Sequence, residues 1–354
     1  MKNDRQLTFA EAIREATEIA LREDPRVVLL GLGVPDPKGI FGTTGGLREI
    51  FGKERILDGP IAENGLTGMV IGGALAGLRP ILTHQRVDFA LLSLEQIINQ
   101  AAKWNYMFDG RGGTVPIVIR MIIGRGWGQG PQHAQSLHSL FAHIPGLRVV
   151  APSTPQEAKG VLLSAVRDPN PVIFLEHRWL HGLKGPVAKG SAGLPLDEAA
   201  VARPGNDITV VSFSHGLIES MRAARFLGEN KFLDAEVIDL RSLNPLDWGT
   251  IADSIRKTGR LLVVDEDHRH CGLAGEILAR AAESDIPLKS RVRRITLPDC
   301  PSPSSRALAA PFYYNSRDIA RVMLEVCDRD PEPAAQLTVE ERVDVPSFVF
   351  PGPF

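Results

Sequence analysis

"LRVVAPSTPQEAKGVLLSAVRDPNPVIFLEH", residues 147–177, is the stretch whose reading decides the fold. Short apolar runs open and close it, and each reads as a strand. Between them, Thr154 is placed to cap a helix, Pro155 to take the first helical position and Glu157 to complete a capping box. A strand, a helix and a second strand in one short unit imply a parallel pair with a crossover helix.

The same grammar extends outward. "TFAEAIREATEIALRED" begins with a second capping box, Thr8 with Glu11, and places Phe9, Ile13, Ala16 and Ala20 at helical spacing. "RVVLLGLGV" is a continuous apolar run, the mark of a strand covered on both faces. "LREIFG" reads as a short helix, and "NGLTGMVIGGALAGL" as a helix whose glycines imply close packing. "RPILTH" and "VPIVIRMII" are strand candidates. "SLEQIINQAAKWNYMF" between them is a helix with Leu94, Ile97, Ile98 and Ala101 on one face.

The fold class is therefore α/β, with two domains, each a mainly parallel sheet flanked by helices. The expected first domain covers residues 1–190. A Gly- and Pro-rich linker follows at 191–206, and a second strand–helix series fills 207–327. The tail, 328–354, is Pro-rich and expected to lie extended on a surface.

A net charge of −2 argues against a nucleic-acid-binding surface. Three scattered cysteines indicate neither a disulfide framework nor a metal site, which suits a reducing compartment. The start lacks an apolar signal region, and no apolar run reaches the roughly 18 residues a membrane span needs. A cytoplasmic protein without membrane contact is expected.

Familiar motifs are missing. There is no P-loop, no H-E-x-x-H, no G-x-S-x-G and no dinucleotide glycine fingerprint in strand–helix context. Two residues stand out instead. Glu63 is a lone acid at the head of the Gly/Ala-rich helix; it either complements the helix dipole or reacts with a bound molecule. His133 ends the Gly-rich "GRGWGQGPQH"; it is either a loop or core histidine or a proton carrier.

Several stretches together settle more. "TFAEAIREA", "RILDGPIAENGLTGMVIGGALAGLRPI", "LEQIINQAAKWNYM", "GPQHAQSLHSLFAHIPGLRVVAPSTPQEAKGVLLSAVRDPNPVIFLEH" and "AEVIDLRSLNPLD" occur in that order. The chain resembles the beta subunit of the thiamine-diphosphate-dependent first component of 2-oxoacid dehydrogenases of the pyruvate, branched-chain or acetoin type, with transketolase-like domains. The resemblance implies that the cofactor lies between this chain and an alpha subunit in a two-plus-two heterotetramer. The alpha subunit would carry the Mg²⁺ and diphosphate motif, G-D-G, which is absent from this sequence.

The resemblance also implies roles. Glu63 matches the acid that exchanges a proton with the aminopyrimidine ring, since a carboxyl group kept from water retains its proton more readily. Phe89 matches an aromatic residue stacked on that ring. His133 matches an active-site histidine assisting proton transfer and acyl transfer to a lipoyl arm of an acyltransferase, on a loop whose glycines let a lid or arm move. His143 also matches a family position. Ile117, Ala165, Asp168 and Asn170 match a segment that wraps potassium with oxygens in some members; a polar turn is the other reading.

Departures qualify the picture. "GLGV" (Gly31–Val34) stands where an acidic pair is usual, and Arg86 adds a charge near the ring pocket, suggestive of an acidic substrate. Alternative functions are a split transketolase-like or acyloin-forming carboligase subunit, or a non-catalytic scaffold.

Overall fold

The computed structural model describes residues 5–125 and 128–339. It divides into two compact units. One contains the residues up to Gly124 together with Leu140–Leu196; the other contains Arg125–Ser139 and the residues from Asp197 onward. The change of unit after Leu196 lies in the stretch expected as a linker, but Arg125–Ser139, expected in the first domain, belongs to the second unit.

In the first unit, β1 (Gln6–Thr8) leads into α1 (Phe9–Glu23), where Thr8 and Glu11 form the reciprocal capping box. The strands β2 (Val27–Gly31), β3 (Ile56–Asp58), β4 (Arg79–His84), β5 (Val118–Ile123), β6 (Arg148–Val150) and β7 (Val172–His177) form parallel pairs in the order β6-β7-β5-β4-β2-β3. Short helices α2 (Gly39–Gly42) and α3 (Leu47–Phe51) follow β2, and α4 (Glu63–Leu75) follows β3. Next come α5 (Val87–Ala90), α6 (Trp104–Met107), α7 (His138–Ala142) and α8 (Pro155–Arg167). Every residue of β5 and β7 is buried, so the sheet is covered on both faces, as continuous apolar strands require. Helix α8 carries the second capping box, Thr154 with Glu157, and packs along α1. A small antiparallel pair, β1 with β8 (Lys184–Pro186), ends the unit.

The expected single helix over residues 93–108 is broken. Leu91–Ser93 is a tight turn, Glu95–Ala101 winds wider than an α-helix and only then does α6 begin. The wide turn brings Ala102 N to Ile97 O at 3.0 Å, an i→i+5 bond. Gly68 of α4 lies close to this turn: a Cβ there would lie 3.3 Å from Gln96 Oε1.

The second unit has the strand order β14-β13-β10-β11-β9. Its strands are β9 (Ala200–Arg203), β10 (Ile208–Ser212), β11 (Ala235–Asp239), the short β12 (Ser242–Asn244), β13 (Leu261–His268) and β14 (Arg293–Leu297). Helices α9 (Ser214–Glu229), α10 (Trp248–Thr258), α11 (Leu273–Glu283), α12 (Arg306–Phe312) and α13 (Ser316–Val326) complete it. β9 lies in the expected linker; it runs antiparallel along β11 and satisfies that edge. The tail is not wholly extended: Glu332–Gln336 forms a helical turn, Ala334 is buried, and Arg317 Nε donates to Leu337 O at 3.1 Å. The tail beyond residue 339 lies outside the described residues.

One polar interaction sits inside the first sheet. Arg120 on β5 and Glu176 on β7 are fully buried and joined by bonds of 2.5 and 3.0 Å. Burial disfavours the Glu176 carboxylate, yet Arg120 and His181 hold its pKa below the usual value. Removing one member of such a pair strands the other charge, at a cost of about 3–5 kcal/mol. Arg120→Met is therefore expected to lower unfolding stability by about that amount, whereas Arg120→Met with Glu176→Leu costs much less. Urea titrations of the two variants measure the difference, and equal losses would contradict the pairing.

Candidate active site

Parallel strands deliver their following loops to one edge of a sheet. Ligands lie outside the carboxyl ends of such strands, where successive connections leave in opposite directions. In the first unit that point is between β2 and β4, because β3 lies on one side of β2 and β4 on the other. Glu63 follows β3 and Phe89 follows β4. Both therefore lie in the connections that leave this edge, Glu63 at the start of α4 and Phe89 in α5.

Glu63 is the first residue of α4. The N-cap is Ala62, which makes no side-chain cap bond, so Glu63 is not the cap. The first turn of a helix favours a carboxylate through the aligned peptide dipoles. The Glu63 carbonyl accepts from Thr67 Oγ1 at 2.7 Å. Its side chain is half-buried, not dry as an acid that keeps its proton requires. Phe89 is likewise half-buried, and its amide donates to Arg86 O at 3.2 Å. Helix α4 packs against β4 and against the turns that continue from Phe89.

Around Phe89 the interior holds uncommitted polar atoms. Thr83 Oγ1, His84 Nε2 and Ser93 Oγ are buried without a hydrogen-bond partner. Burial pushes the His84 imidazole down to about 4, so it is neutral at pH 7. Buried polar atoms ordinarily find partners.

The atypical "GLGV" turn is tied into this edge. The Asp58 carboxylate accepts from Gly33 N at 2.9 Å and Gly59 N at 3.0 Å, joining the loops after β2 and β3. Gly31 is required: a Cβ would come 2.4 Å from Thr83 O. Arg86 is buried, and its Nη1 donates to Gly124 O at 2.8 Å, joining the loops after β4 and β5.

The four potassium candidates all take part in hydrogen bonds within the chain. Ile117 O accepts from Val172 N, and Ala165 O from Asp168 N. The Asp168 carboxylate accepts from Asn170 N and Nδ2 and pairs with Arg148. Arg79 Nη1 donates to Val166 O at 2.7 Å and Asp168 O at 3.1 Å, so the turn's carbonyls already meet a cation from the chain itself. These bonds make the segment a hydrogen-bonded polar turn.

His133 belongs to the second unit, in the segment preceding α7. It is half-buried, with its amide donating to Gly130 O at 3.2 Å. His143 is exposed. The loop glycines act through contact: a Cβ on Gly128 would lie 2.8 Å from Ser304 O, and one on Gly130 2.2 Å from Ser304 Oγ. Residues 126 and 127 lie outside the described residues.

Sequence reasoning missed His138, five residues beyond His133. Its Nε2 lies 2.7 Å from Asp265 Oδ1 and 3.8 Å from Asp267 Oδ2, and its ring stands edge-on to Phe213. Burial opposes its charge, but the fields of Asp265 and Asp267, with the Asp265 hydrogen bond, overcome this and raise its pKa to about 9. The available signal was the "DED" ending the apolar run "RLLVVDED", because acids inside an otherwise buried strand need a partner.

Residues 5–182 match the family described as transketolase, pyrimidine binding domain, and residues 197–319 match the transketolase C-terminal domain. The chain is 40% identical over 327 residues to the beta subunit of an acetoin:2,6-dichlorophenolindophenol oxidoreductase from Cupriavidus necator, covering 89% of this chain and 96% of that one. It is 38% identical over 330 residues to the mitochondrial pyruvate dehydrogenase E1 component subunit beta-1 of Arabidopsis thaliana, covering 92% and 90%. A solved split-gene transketolase, described as an inactive beta4 tetramer, shares the fold with a TM-score of 0.74 at 20% identity, over 91% of this chain and 98% of that one.

The His138 assignment has a pH signature. Its pKa is raised above the ordinary 6.5, so the stability it confers is complete below that value and is lost as pH rises through about 9. Unfolding midpoints of the native chain are expected to fall between about pH 7 and about pH 9.5, and His138→Gln to flatten that decline. Equal slopes for both proteins would refute the charged state.

Two matched domains in one order, with relatives aligned over nearly their whole length, place the chain in the transketolase-like family of beta subunits from acetoin- and pyruvate-type dehydrogenases.

Proposed function

We propose that this subunit forms the aminopyrimidine half of a thiamine diphosphate site and works with an alpha subunit in a two-plus-two heterotetramer. The observation that carries the reading is Glu63 opening α4 beside the switch between β2 and β4. When bound, thiamine diphosphate supplies the reacting thiazolium carbon and the electron sink for bond cleavage. Glu63 Oε would hold and return the proton of the ring nitrogen. Phe89 would orient the ring by its flat face, a contact of about 0.5–1.5 kcal/mol beyond burial. His133 would move a proton during release of the acyl group, as imidazole can near neutral pH.

Partner surface supports the assembly. Ile61, Met69, Leu92 and Tyr106 are exposed in the first unit, with Ile61 at 79% and Tyr106 at 90%. Large exposed apolar side chains near a site are the mark of a missing contact. The same partner would supply the cover that Glu63 lacks, and the Mg²⁺-binding G-D-G motif absent here. Substrate chemistry follows the relatives' names: a short 2-oxoacid, or an acyloin of acetoin type. The acceptor in this reading is a lipoyl group on an acyltransferase. A cytoplasmic setting agrees with Cys271 and Cys300, both exposed and unpaired. Among the described residues no helix is long and apolar enough to cross a membrane.

Glu63→Gln keeps the size of the side chain and removes its proton exchange. In the reconstituted alpha–beta assembly it is expected to lower substrate-dependent dye reduction by about 10²–10⁴-fold, the range of a lost general acid–base group, with thiamine diphosphate still bound. Turnover within twofold of the native enzyme would sink the role. Products formed with a lipoyl domain against those formed with an aldehyde separate dehydrogenase from carboligase.

A further inference from the structure

We propose that His138 is a positioning residue for His133, holding the His133 segment on the second unit through a buried imidazolium–dicarboxylate clamp. This rests on the reading of His133 as the active-site histidine.

The segment from Gly128 to Leu137 contains no regular element and is held at both ends. At the first end, Gly128 and Gly130 lie against Ser304 so closely that a methyl group would collide. At the second end, His138 is fully buried between Asp265 and Asp267. The next residue extends the clamp. Ser139 N donates to Asp267 Oδ2 at 3.2 Å, and Leu273 N donates to Ser139 Oγ at 2.9 Å. Asp265 serves three partners, because besides meeting His138 its Oδ1 accepts from Asp267 N at 3.1 Å and its Oδ2 from Ala274 N at 3.0 Å in the first turn of α11. The clamp thereby joins the segment to a strand end and a helix start of the same unit. Leu137, just before it, is held at φ 47°, a backbone conformation that leucine rarely adopts unless its surroundings impose it. The side chains facing the His138 ring are Asp265, Asp267 and Phe213, with Glu266 adding to the negative field. A neutral side chain there leaves two buried acids without their countercharge.

The test uses the full alpha–beta assembly with thiamine diphosphate and compares native protein, His138→Gln, His133→Gln and the double variant His138→Leu/Asp265→Asn. The double variant removes the charge pair together, which guards against misfolding of the single change. Hydrogen exchange over residues 128–139 is expected to quicken at least about tenfold in both His138 variants, since a lost anchor of about 1.4 kcal/mol is one decade. Exchange in β10 and β13 is expected to stay unchanged. Substrate KM holds while kcat falls toward the His133→Gln value. His133→Gln itself leaves exchange native. Unchanged exchange over 128–139, or an equal rise through β10 and β13, overturns the clamp. Native turnover in His133→Gln with a loosened segment in the His138 variants would refute the catalytic reading of His133 while leaving the anchoring intact.

Discussion

The whole arrangement depends on keeping buried parallel strands away from water on both faces. β4, β5 and β7 are buried along nearly their full length and can be covered only if helices return over both sides. Every parallel connection then runs from a carboxyl end to an amino end. All loops after strands collect along one edge, and all loops before strands along the other. The positions of Glu63 and Phe89 follow from this constraint, without local design for either residue.

Polar groups within this sheet are tolerated where they are matched. Arg120 and Glu176 face the interior from neighbouring strands β5 and β7, and His181 lies 3.3 Å from the same carboxylate. His181 is pushed down to about 4 by burial and therefore adds no second charge. In the second unit the balance is reversed: two acids on β13 hold a charged imidazole. A buried histidine is neutral in one setting and cationic in the other because His138 has two carboxylates within 4 Å, whereas His181 shares its single carboxylate with Arg120 and also feels Arg178.

Features governed by local chemistry were legible in the sequence. Both capping boxes, Thr8 with Glu11 and Thr154 with Glu157, form as their spacing predicts. The apolar runs that read as strands are strands. Features governed by distant contacts were hidden. The break in the helix before α6 has no counterpart in the apolar spacing, and β9 exists because β11 offers an edge. The polar turn at Asp168 takes its character from Arg79, distant in the chain. For the site, residue matching nominated Glu63, Phe89 and His133, while the "DED" of β13 signalled a partner but not that the partner is His138.

The half-buried state of Glu63 has a functional logic. An acid that is to share a proton with a ring nitrogen must be held from water at the moment of reaction, yet this chain alone covers it only partly. It also lacks any G-D-G stretch for the diphosphate. If cover and diphosphate grip both come from the alpha subunit, the proton-sharing environment exists only where the cofactor is fully held. Activation then coincides with assembly, and an isolated subunit neither traps the cofactor nor exposes a reactive centre to solvent. The anchoring of the histidine segment follows a different rule, because its clamp is made entirely of residues from one chain and is present before any partner arrives.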